Sequence, residues 1–258
     1  MSTALDFQER LAGIGVDDAP FPHLYADNFL PAEMYDRLAA AWPVNASFRI
    51  SRNQQKLDMV PSEAHHDEYT AAFAALPVET KAIWRDFVHF NRTVVGPWLA
   101  SVFDPFIRER IALLQRMTAE GRTGLKASGL ESGTVQANAG RLMMRGNGYT
   151  LAPHIDPAYY LVTVLHYFAE GSDEGYGTRL FKARAPIPLD GFVKDGTTEY
   201  FERYGIEVEE AGRLPFRANS LLAFPNLLDA AHGVDAPPTG YRKVFQYHLS
   251  LKGEREPL

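Results

Sequence analysis

Three residues in the C-terminal half have the types and spacing needed to hold one metal ion. His154 and Asp156 lie two residues apart in Leu-Ala-Pro-His-Ile-Asp-Pro, and His232 follows later in Ala-Ala-His-Gly-Val. Because side chains two residues apart in an extended strand point to the same side, His154 and Asp156 would chelate one ion together. Two histidines and one carboxylate on a β scaffold are the ligand set that leaves positions on iron(II) open for a cosubstrate and O₂.

The His-x-Asp pair is a weak indication when taken alone. The chain has eight histidines, and a surface histidine beside a turn aspartate is the plain alternative, which Pro157 favours. His232 makes the set more specific, since zinc sites more often gather three histidines or combine histidine with cysteine. The chain has no cysteine, so any metal binds through His, Asp or Glu, ligands suited to iron, manganese or zinc.

Arg242 adds a cation ten residues after His232. Strand alternation places Arg242, Gln246 and His248 on one face, so His248 is a candidate neighbour of the metal site rather than a ligand. An arginine directed into an apolar barrel needs an anion to neutralise it, and its planar guanidinium suits the distal carboxylate of a dicarboxylate. A buried ion pair with Asp or Glu, or an exposed position on an edge strand, is the alternative.

Helical patterns fill the first half of the chain and strand patterns the second. The sequence predicts helices over Ala32–Trp42, Glu79–Leu99 with an interruption near Gly96-Pro97, and Asp104–Thr118. It predicts strands over Val135–Met144, Leu161–Phe168, Arg179–Lys182, Ser220–Phe224 and Tyr241–Leu251. Helices followed by strands indicate an α+β fold, with a sheet sandwich or barrel backed by helices.

Residues 184–217 interrupt the rhythm of the strands. The segment is rich in Pro, Gly and charge, with a short helical pattern near Thr198–Tyr204. A long insertion in a compact domain is often functional, so we expect a lid that closes over the substrate. Its aromatic residues support this interpretation: Phe192, Tyr200, Phe201 and Tyr204. The alternative is that these aromatics pin the loop to the exterior of the barrel.

The order of motifs from Val135 to Leu251 resembles the catalytic core of the 2-oxoglutarate/iron(II)-dependent oxygenase superfamily, particularly its prolyl-hydroxylase-like branch. The similar segments are Arg141–Asp156, Leu161–Phe168, Gly175–Phe181, His232-Gly-Val and Arg242, with Pro20–Pro31 similar to the N-terminal segment of that branch. The resemblance implies a double-stranded β-helix, a jelly-roll or cupin-like core, with N-terminal helices packed on it. We therefore expect one oxygenase domain over 1–258, with mainly helical support in 1–133 and the core in 134–258, including insertion 184–217.

The same resemblance implies roles for further residues. Tyr167 matches the position whose hydroxyl joins Arg242 at the distal carboxylate of 2-oxoglutarate. Thr163 and Leu165 share the face of Tyr167 and are expected to line the cosubstrate. The usual Arg-x-Ser is Arg242-Lys-Val here, so Tyr167 or Gln246 must replace the missing hydroxyl. The turn that usually carries Gly-Gly has Tyr176 before Gly177, which would alter its shape.

The implied function is an iron(II)- and 2-oxoglutarate-dependent dioxygenase, a non-haem iron enzyme that uses O₂. It would hydroxylate an unactivated C–H bond of a small polar metabolite or sugar-like substrate and release succinate and CO₂. Arg145 and Arg52 are candidates for reading an anionic substrate, although both would equally serve as solvated charges. The alternatives are a peptidyl or protein hydroxylase, a catalytically silent jelly-roll binding module, and a metal cupin that is not an oxygenase.

The composition of the chain limits the classes of partner that are expected. The formal net charge of −6 disfavours nucleic acid and anionic membranes, because both require a basic face. No apolar run reaches the length of a membrane span, and the N-terminus lacks the pattern of a signal peptide. We therefore expect a cytoplasmic enzyme with a small-molecule partner. The sequence predicts neither the substrate nor the oligomeric state.

Overall fold

Helices form most of the N-terminal half of the chain and antiparallel strands most of the C-terminal half in the computed structural model. The structure describes residues 7, 9–51, 55–62, 67–121, 133–146, 148–170, 174–189, 198–237 and 239–251. Arg52, one of the two arginines expected to read an anionic substrate, lies outside these residues.

The three predicted helices are present, and Glu68–Ala74 forms a further helix that the sequence pattern did not predict. Their bounds are α1 Ala32–Ala40, α2 Glu68–Ala74, α3 Val78–Phe90, a π-helical turn Asn91–Val95, α4 Gly96–Val102 and α5 Asp104–Ala119. Pro31 directly precedes α1, where its fixed φ angle favours the first turn. The left-handed conformation of Gly121, with φ at 67°, follows the end of α5.

The predicted interruption near Gly96-Pro97 takes the form of a π-helical turn. Pro97 has no N–H to donate, so the regular helical hydrogen bonds cannot continue unchanged through this point. A Cβ atom at Gly96 would lie 2.8 Å from the Asn91 carbonyl oxygen, so only glycine fits this close turn. The helix therefore widens over one turn and continues as α4, as π-bulges commonly allow.

The strands form two antiparallel sheets. Their bounds are β1 Leu24–Ala26, β2 Arg49–Ile50, β3 Lys56–Met59, β4 Val135–Ala137, β5 Arg141–Gly146, β6 Thr150–Ile155, β7 Tyr160–Tyr167, β8 Thr178–Ala183, β9 Glu199–Tyr200, β10 Val208–Arg213, β11 Ser220–Pro225, β12 His232–Asp235 and β13 Tyr241–Leu251. The larger sheet has the order β1-β11-β7-β13-β5-β3-β2, with β4 also paired to β13. The smaller sheet has the order β10-β8-β12-β6-β9.

The path of the chain between the two sheets defines the fold. Strands β5, β7, β11 and β13 lie in the larger sheet, and β6, β8, β10 and β12 lie in the smaller one. The chain thus winds between four strands of the larger sheet and four strands of the smaller one, which is the double-stranded β-helix variant of the jelly roll. Buried side chains of both sheets, including Leu165 and Leu180, share one core between them. The predicted fold class is confirmed.

Three differences from the predicted strands matter for the site. The segment Val135–Met144 is two strands rather than one, because Gly140 takes a left-handed φ of 74° between β4 and β5. The strands β6 and β12, which carry the histidines, are absent from the prediction, since Pro153 interrupts the pattern of β6 and β12 has only four residues. The helical half also contributes β1 to β3, which extend the larger sheet at both edges.

Residues 184–217 are not a single loop. Val208–Arg213 forms β10, which pairs with β8 as an integral strand of the smaller sheet. Before it, Glu199–Tyr200 pairs with β6, and the following Phe201 is fully buried. The predicted short helical piece is a 3₁₀ turn that ends at Gly205. Residues 190–197, including the aromatic Phe192, lie outside the described part of the chain, so the lid stays a prediction.

Side chains along β13 point alternately towards the helices and towards the cavity between the sheets. Phe245 faces the helices and stacks on Trp84, with ring centroids 5.9 Å apart. Val244 faces the opposite way, into the core between the sheets. Arg242 and Gln246 share this inner face and line a cavity. Among the described residues, no helix is long and apolar enough to cross a membrane.

A buried histidine connects the helices to the larger sheet. His166 lies on the outer face of β7, and its Nε2 is 2.9 Å from Asn91 Oδ1 in the π-helical turn. The side-chain amide of Asn91 also donates to the Phe87 carbonyl at 2.9 Å. The prediction that His166 is a hydrogen-bonded core residue is consistent with this position.

We predict that the metal-free protein loses stability as the pH falls below about 6.5. Burial lowers the pKa of His166 from 6.5 to about 3, so between these values only the unfolded chain takes up this proton. The free energy of unfolding should therefore fall by about 1.4 kcal/mol per pH unit for this one group. His166→Gln keeps a neutral hydrogen-bonding side chain. In urea unfolding with a chelator present, the unfolding free energy of this variant should depend on pH less steeply, by about one proton.

Other buried histidines contribute to the same slope, so the test is the difference between variant and parent. His89→Gln is the matched control, because His89 is exposed on α3 and meets solvent in both states. The prediction fails if His166→Gln leaves the dependence of unfolding free energy on pH unchanged.

Candidate metal centre

The three predicted ligands come from two neighbouring strands of the smaller sheet. His154 lies near the end of β6, Asp156 directly follows that strand, and His232 begins β12. In the antiparallel register His232 lies opposite His154, so both side chains leave the sheet on the same face. Residues far apart in the sequence are thus direct cross-strand neighbours.

The ligand atoms of this triad, His154, Asp156 and His232, converge on one point. His154 Nε2 lies 3.8 Å from Asp156 Oδ1, and His232 Nε2 lies 3.7 Å from Asp156 Oδ2. One ligand atom of each residue lies within 4.8 Å of the others. Ligand bonds of about 2.0–2.2 Å hold two donors within roughly 4.4 Å of each other. A first-row divalent ion therefore fits between the three side chains after small movements.

Backbone carbonyls orient both imidazoles. His154 Nδ1 lies 2.8 Å from the Ala152 carbonyl oxygen, and His232 Nδ1 lies 3.1 Å from the Ala230 carbonyl oxygen. These contacts favour a proton on Nδ1, which leaves Nε2 of each ring unprotonated and directed at the carboxylate. A neutral imidazole with a free nitrogen is the form that binds a metal ion.

The charges of the triad suit a cation. The pKa of His154 is lowered to about 4, first by burial and then by the neighbouring His232. Burial acts to raise the pKa of Asp156, but His232, His248, His154 and a hydrogen bond from Thr163 together hold it below its usual value. At neutral pH His154 is therefore neutral beside an ionised Asp156, so their short distance is not an ion pair.

The backbone around Asp156 is held by one asparagine. Asn226 Nδ2 donates to the carbonyl oxygens of Asp156, Pro157 and Tyr160, at 3.0, 2.8 and 3.2 Å. The Asn226 carbonyl in turn accepts a hydrogen bond from the guanidinium of Arg110 on α5. The turn that carries the carboxylate ligand is thus tied to β11 and, through it, to the helical half.

His248 borders the triad without belonging to it. Its Nε2 lies 3.9 Å from Asp156 Oδ2, and its ring stacks on Tyr160 with centroids 3.4 Å apart. Burial lowers the pKa of His248 to about 4 against the opposing effect of Asp156, and the charges of Arg141 and His232 add to the lowering. His248 is therefore a neutral neighbour of the centre, in the position considered for it from the sequence.

Arg242 is a buried cation at the start of β13. Its Nε donates to the Tyr176 carbonyl at 2.8 Å, and a terminal nitrogen donates to Thr178 Oγ1 at 3.2 Å. The guanidinium carbon lies 4.9 and 5.1 Å from the ring centroids of Tyr167 and Phe216. Within the described part of the chain, no carboxylate forms an ion pair with it. A buried guanidinium with this environment is suited to bind an anion.

Tyr167 lies behind Arg242, where Thr178 separates it from the cavity. The Tyr167 hydroxyl is 2.6 Å from Thr178 Oγ1, which also accepts the hydrogen bond from Arg242. Thr178 lines the cavity, whereas Tyr167 is fully buried. Thr178 therefore places a hydroxyl beside the guanidinium, which the sequence Arg242-Lys-Val does not provide.

One cavity of about 240 Å³ joins the triad to Arg242. Its wall includes four other side chains predicted to meet cosubstrate or substrate: Thr163, Leu165, Gln246 and Arg145. The structure therefore brings together the predicted site residues that it describes, with Tyr167 contributing from behind Thr178. Thr198 and Tyr200, from the segment expected to form a lid, also border this cavity.

Sequence reasoning missed three residues that shape the site. Asn226 follows the apolar strand β11 directly after Pro225, and a polar residue at this strand end was a usable signal. Thr178 lies in a segment already noted for its resemblance, but its contact with Arg242 depends on pairing between distant strands. Asp58, fully buried beside Arg145, gave no signal, because its partner lies far along the chain.

Comparisons with known proteins find similar structures and no matching sequence. No protein-family model and no curated protein matches the chain. A prolyl-4-hydroxylase from Pseudomonas putida is similar at a TM-score of 0.48 and 12% identity, over 95% of this chain and 96% of that chain.

Two further similar structures carry ligands. A Trichoplax adhaerens prolyl hydroxylase in complex with a hypoxia inducible factor peptide has a TM-score of 0.46 and 14% identity, over 98% of this chain and 94% of that chain. HygX from Streptomyces hygroscopicus, with nickel and 2-oxoglutarate bound, has a TM-score of 0.45 and 10% identity, over 96% and 87%. Likeness this distant carries no argument about activity, and the fold assignment rests on the strand order.

We predict that His232→Ala abolishes tight binding of a divalent metal ion, because the triad then has two ligands instead of three. Anaerobic calorimetric titration of iron(II) should show one site in the parent protein and a large loss of affinity in this variant. His89→Ala, an exposed histidine on α3, is the control and should bind as the parent does. Full-strength binding by His232→Ala would contradict the assignment.

We also predict that Asn226→Ala weakens metal binding by about 10–100-fold, the usual cost of removing a group that orients a ligand. The variant frees the carbonyls around Asp156, so the carboxylate loses its fixed position without losing its charge. The control is Asn219→Ala, since Asn219 holds Leu30 at the far end of β11. Equal metal affinities in the two variants would show that Asn226 does not position Asp156.

Proposed function

We propose that this chain is an iron(II)- and 2-oxoglutarate-dependent dioxygenase that hydroxylates a C–H bond of a small molecule. The observation that carries the proposal is Arg242, a buried guanidinium without a carboxylate partner among the described residues, in the cavity that holds the triad. A buried cation of this kind needs an anion, and a dicarboxylate cosubstrate supplies one.

The proposed path of the cosubstrate follows β13. Arg242 lies near the start of the strand, and Gln246 follows on the same face in the wall of the cavity. Thr163 pairs with His248, and Leu165 pairs with Gln246 across β7. A dicarboxylate with one end at Arg242 and its oxo-acid end at the triad would lie along these side chains.

Under this proposal His154, Asp156 and His232 hold iron(II), which when bound supplies the activation of O₂ and the oxidation of the substrate. Thr163 keeps Asp156 in place through a hydrogen bond to Oδ2. Arg242 neutralises and orients the distal carboxylate, with Thr178 fixing the guanidinium. Buried apolar walls such as Leu165 exclude water from the reacting groups.

The other candidate functions fit these contacts less well. A silent jelly-roll binding module needs neither a converging triad nor a buried unpaired guanidinium. A metal cupin that is not an oxygenase has a use for the triad but none for Arg242. A peptidyl hydroxylase shares the chemistry, so only its substrate separates it from the proposal. The cavity of about 240 Å³ favours a small polar molecule or a single side chain inserted from a peptide.

The segment 198–204 borders the cavity from the side of β6. Tyr200 lies beside His154 with ring centroids 5.7 Å apart. Phe201 is buried in the main core, and the Tyr204 hydroxyl donates to Glu199 Oε2 at 3.0 Å. These contacts attach the described part of the expected lid to the barrel, which favours the alternative for those aromatics. Ile187, earlier in the segment, is also buried and donates its N–H to the Leu228 carbonyl at 2.8 Å, so the lid expected for 184–217 stays a prediction.

We predict that Arg242→Ala weakens 2-oxoglutarate binding while leaving metal binding largely intact. Losing one partner of a buried charge pair costs ~3–5 kcal/mol, roughly two to three and a half decades in affinity. Anaerobic calorimetric titration of 2-oxoglutarate into the metal-loaded protein measures this loss directly. Arg242→Lys should bind with intermediate affinity, because it keeps the charge but loses the planar pair of donors.

Arg179→Ala is the control, since Arg179 is a partly exposed arginine on neighbouring β8 that pairs with Glu210 outside the cavity. It should bind 2-oxoglutarate as the parent does. The proposal is wrong if Arg242→Ala keeps full affinity for 2-oxoglutarate. It is also wrong if the metal-loaded parent does not bind 2-oxoglutarate at all.

A further inference from the structure

A second group of charges lies on the cavity wall where β3 and β5 pair. Lys56 and Asp58 face the cavity from β3, and Arg141 and Arg145 face it from β5. Asp58 is almost fully buried, and its carboxylate lies 2.8 Å from a terminal nitrogen of Arg145 and 3.6 Å from one of Arg141. The wall therefore carries three cations around one carboxylate.

Arg145 is engaged by the protein itself. One terminal nitrogen donates to the carbonyls of Leu57 and Met144 at 3.2 and 3.1 Å, and the other lies beside Asp58. Only 10% of its side chain is exposed. Among the described residues, neither Asp58 oxygen has a partner with the geometry of a hydrogen bond, so the attraction to Arg145 is mainly electrostatic. Asp58 and Arg145 thus largely neutralise each other.

Arg141 is held more loosely and is more accessible. Its separation of 3.6 Å from Asp58 exceeds hydrogen-bond length, and 30% of its side chain is exposed. Its guanidinium carbon lies 5.8 Å from the ring centroid of Tyr69, which supports the side chain from one side. Lys56 lies in the same wall, with its ammonium 4.8 Å from the ring centroid of Tyr149. Arg141 and Arg145 thus share the single negative charge of Asp58, which balances only one of the two arginines.

The strand register places Arg141 close to the metal centre. Arg141 pairs with Gln246, which precedes His248 by two residues on the same face of β13. Two residues along a strand and one strand across correspond to roughly 8 Å between the Cα atoms of Arg141 and His248. His248 Nε2 is itself 3.9 Å from Asp156 Oδ2. A guanidinium at this position reaches a molecule that lies against the triad.

Arg242 and Arg141 lie in different parts of the cavity. Arg242 lies at the start of β13, on the proposed path of 2-oxoglutarate. Arg141 lies one strand to the side of that path, on β5, level with Gln246. A group bound by Arg141 would thus lie beside the cosubstrate rather than along it.

We propose that Arg141, with Lys56 beside it, binds an anionic group of the substrate, either a carboxylate or a phosphate. The inference rests on the proposed function and specifies its substrate class as a small molecule with an acidic group a few bonds from the oxidised carbon. The anion balances the positive charge that Asp58 leaves over on the two arginines, and the strand register that sets Arg141 beside the triad limits which carbon is presented. Arg145 and Asp58 keep the wall in position.

The test uses inorganic phosphate and propionate as separate probes of the site. The protein is loaded with manganese(II) and saturating 2-oxoglutarate without oxygen, so that Arg242 is occupied, and each anion is titrated by calorimetry. We expect at least one of the two to bind at one site in the parent protein. Phosphate alone, propionate alone or both then identify the acidic group that the site accepts.

Arg141→Gln should weaken that binding by about tenfold or more, as expected for the loss of a charge-assisted hydrogen bond. Lys56→Gln should weaken it less, and Arg141→Lys should retain part of it. Arg179→Gln, an arginine outside the cavity, should bind as the parent does. The 2-oxoglutarate affinity and melting temperature of each variant show whether it is folded. If Arg141→Gln does not fold, anion binding by Arg141→Lys and Lys56→Gln tests the inference instead.

The inference is overturned if neither anion binds the parent protein, or if binding is the same in the Arg141 and Lys56 variants as in the parent. Its failure differs from failure of the proposed function, because 2-oxoglutarate binding is measured first and separately. A parent protein that binds 2-oxoglutarate but neither anion keeps the proposed function and loses the anionic substrate.

Discussion

The pairing of β6 with β12 is the interaction on which the candidate site depends. It sets His154 opposite His232, and the chain then leaves β6 at once to bring Asp156 against both rings. A shift of the register by one residue would turn one imidazole to the other face of the sheet. Each imidazole is then oriented locally, since its Nδ1 lies within hydrogen-bond distance of the carbonyl two residues earlier in its own segment.

The second constraint is the burial of charge between the two sheets. Arg242 and Asp156 are both buried on the inner face of the barrel, and each is surrounded by side chains that fix its position. Thr178 and the Tyr176 carbonyl hold the guanidinium, and Thr163 holds the carboxylate. Neither group neutralises the other. The interior therefore has one anionic and one cationic end. Such an interior suits ligands that carry the opposite charge at each end.

Much of this arrangement follows from the sequence, because the residues involved obey simple periodicities. The alternation of Arg242, Val244 and Gln246 gives the inner face of β13, and the spacing of His154 and Asp156 gives the chelating pair. The double-stranded β-helix is implied by the resemblance of the motif order to an oxygenase core, whereas the strand pattern alone indicates a sandwich or barrel. What the sequence does not predict depends on pairing between distant segments. Thr178 meets Arg242, and Asp58 meets Arg145, only after the strands align. Likewise, β10 is hidden in 184–217 because its exposed, charged residues lack the apolar pattern of a buried strand.

The hydrogen bond from Arg110 to Asn226 has a consequence for how this architecture is divided or reused. Arg110 lies on α5 and is buried, while Asn226 fastens the turn that presents Asp156. The helices are thus part of the ligand geometry, and the barrel alone is not a self-sufficient unit. A chimera that moved the barrel onto foreign helices would inherit the histidines but not the anchor of the carboxylate. Exchange of modules between proteins of this shape should therefore transfer α5 together with β11, as a single inherited block.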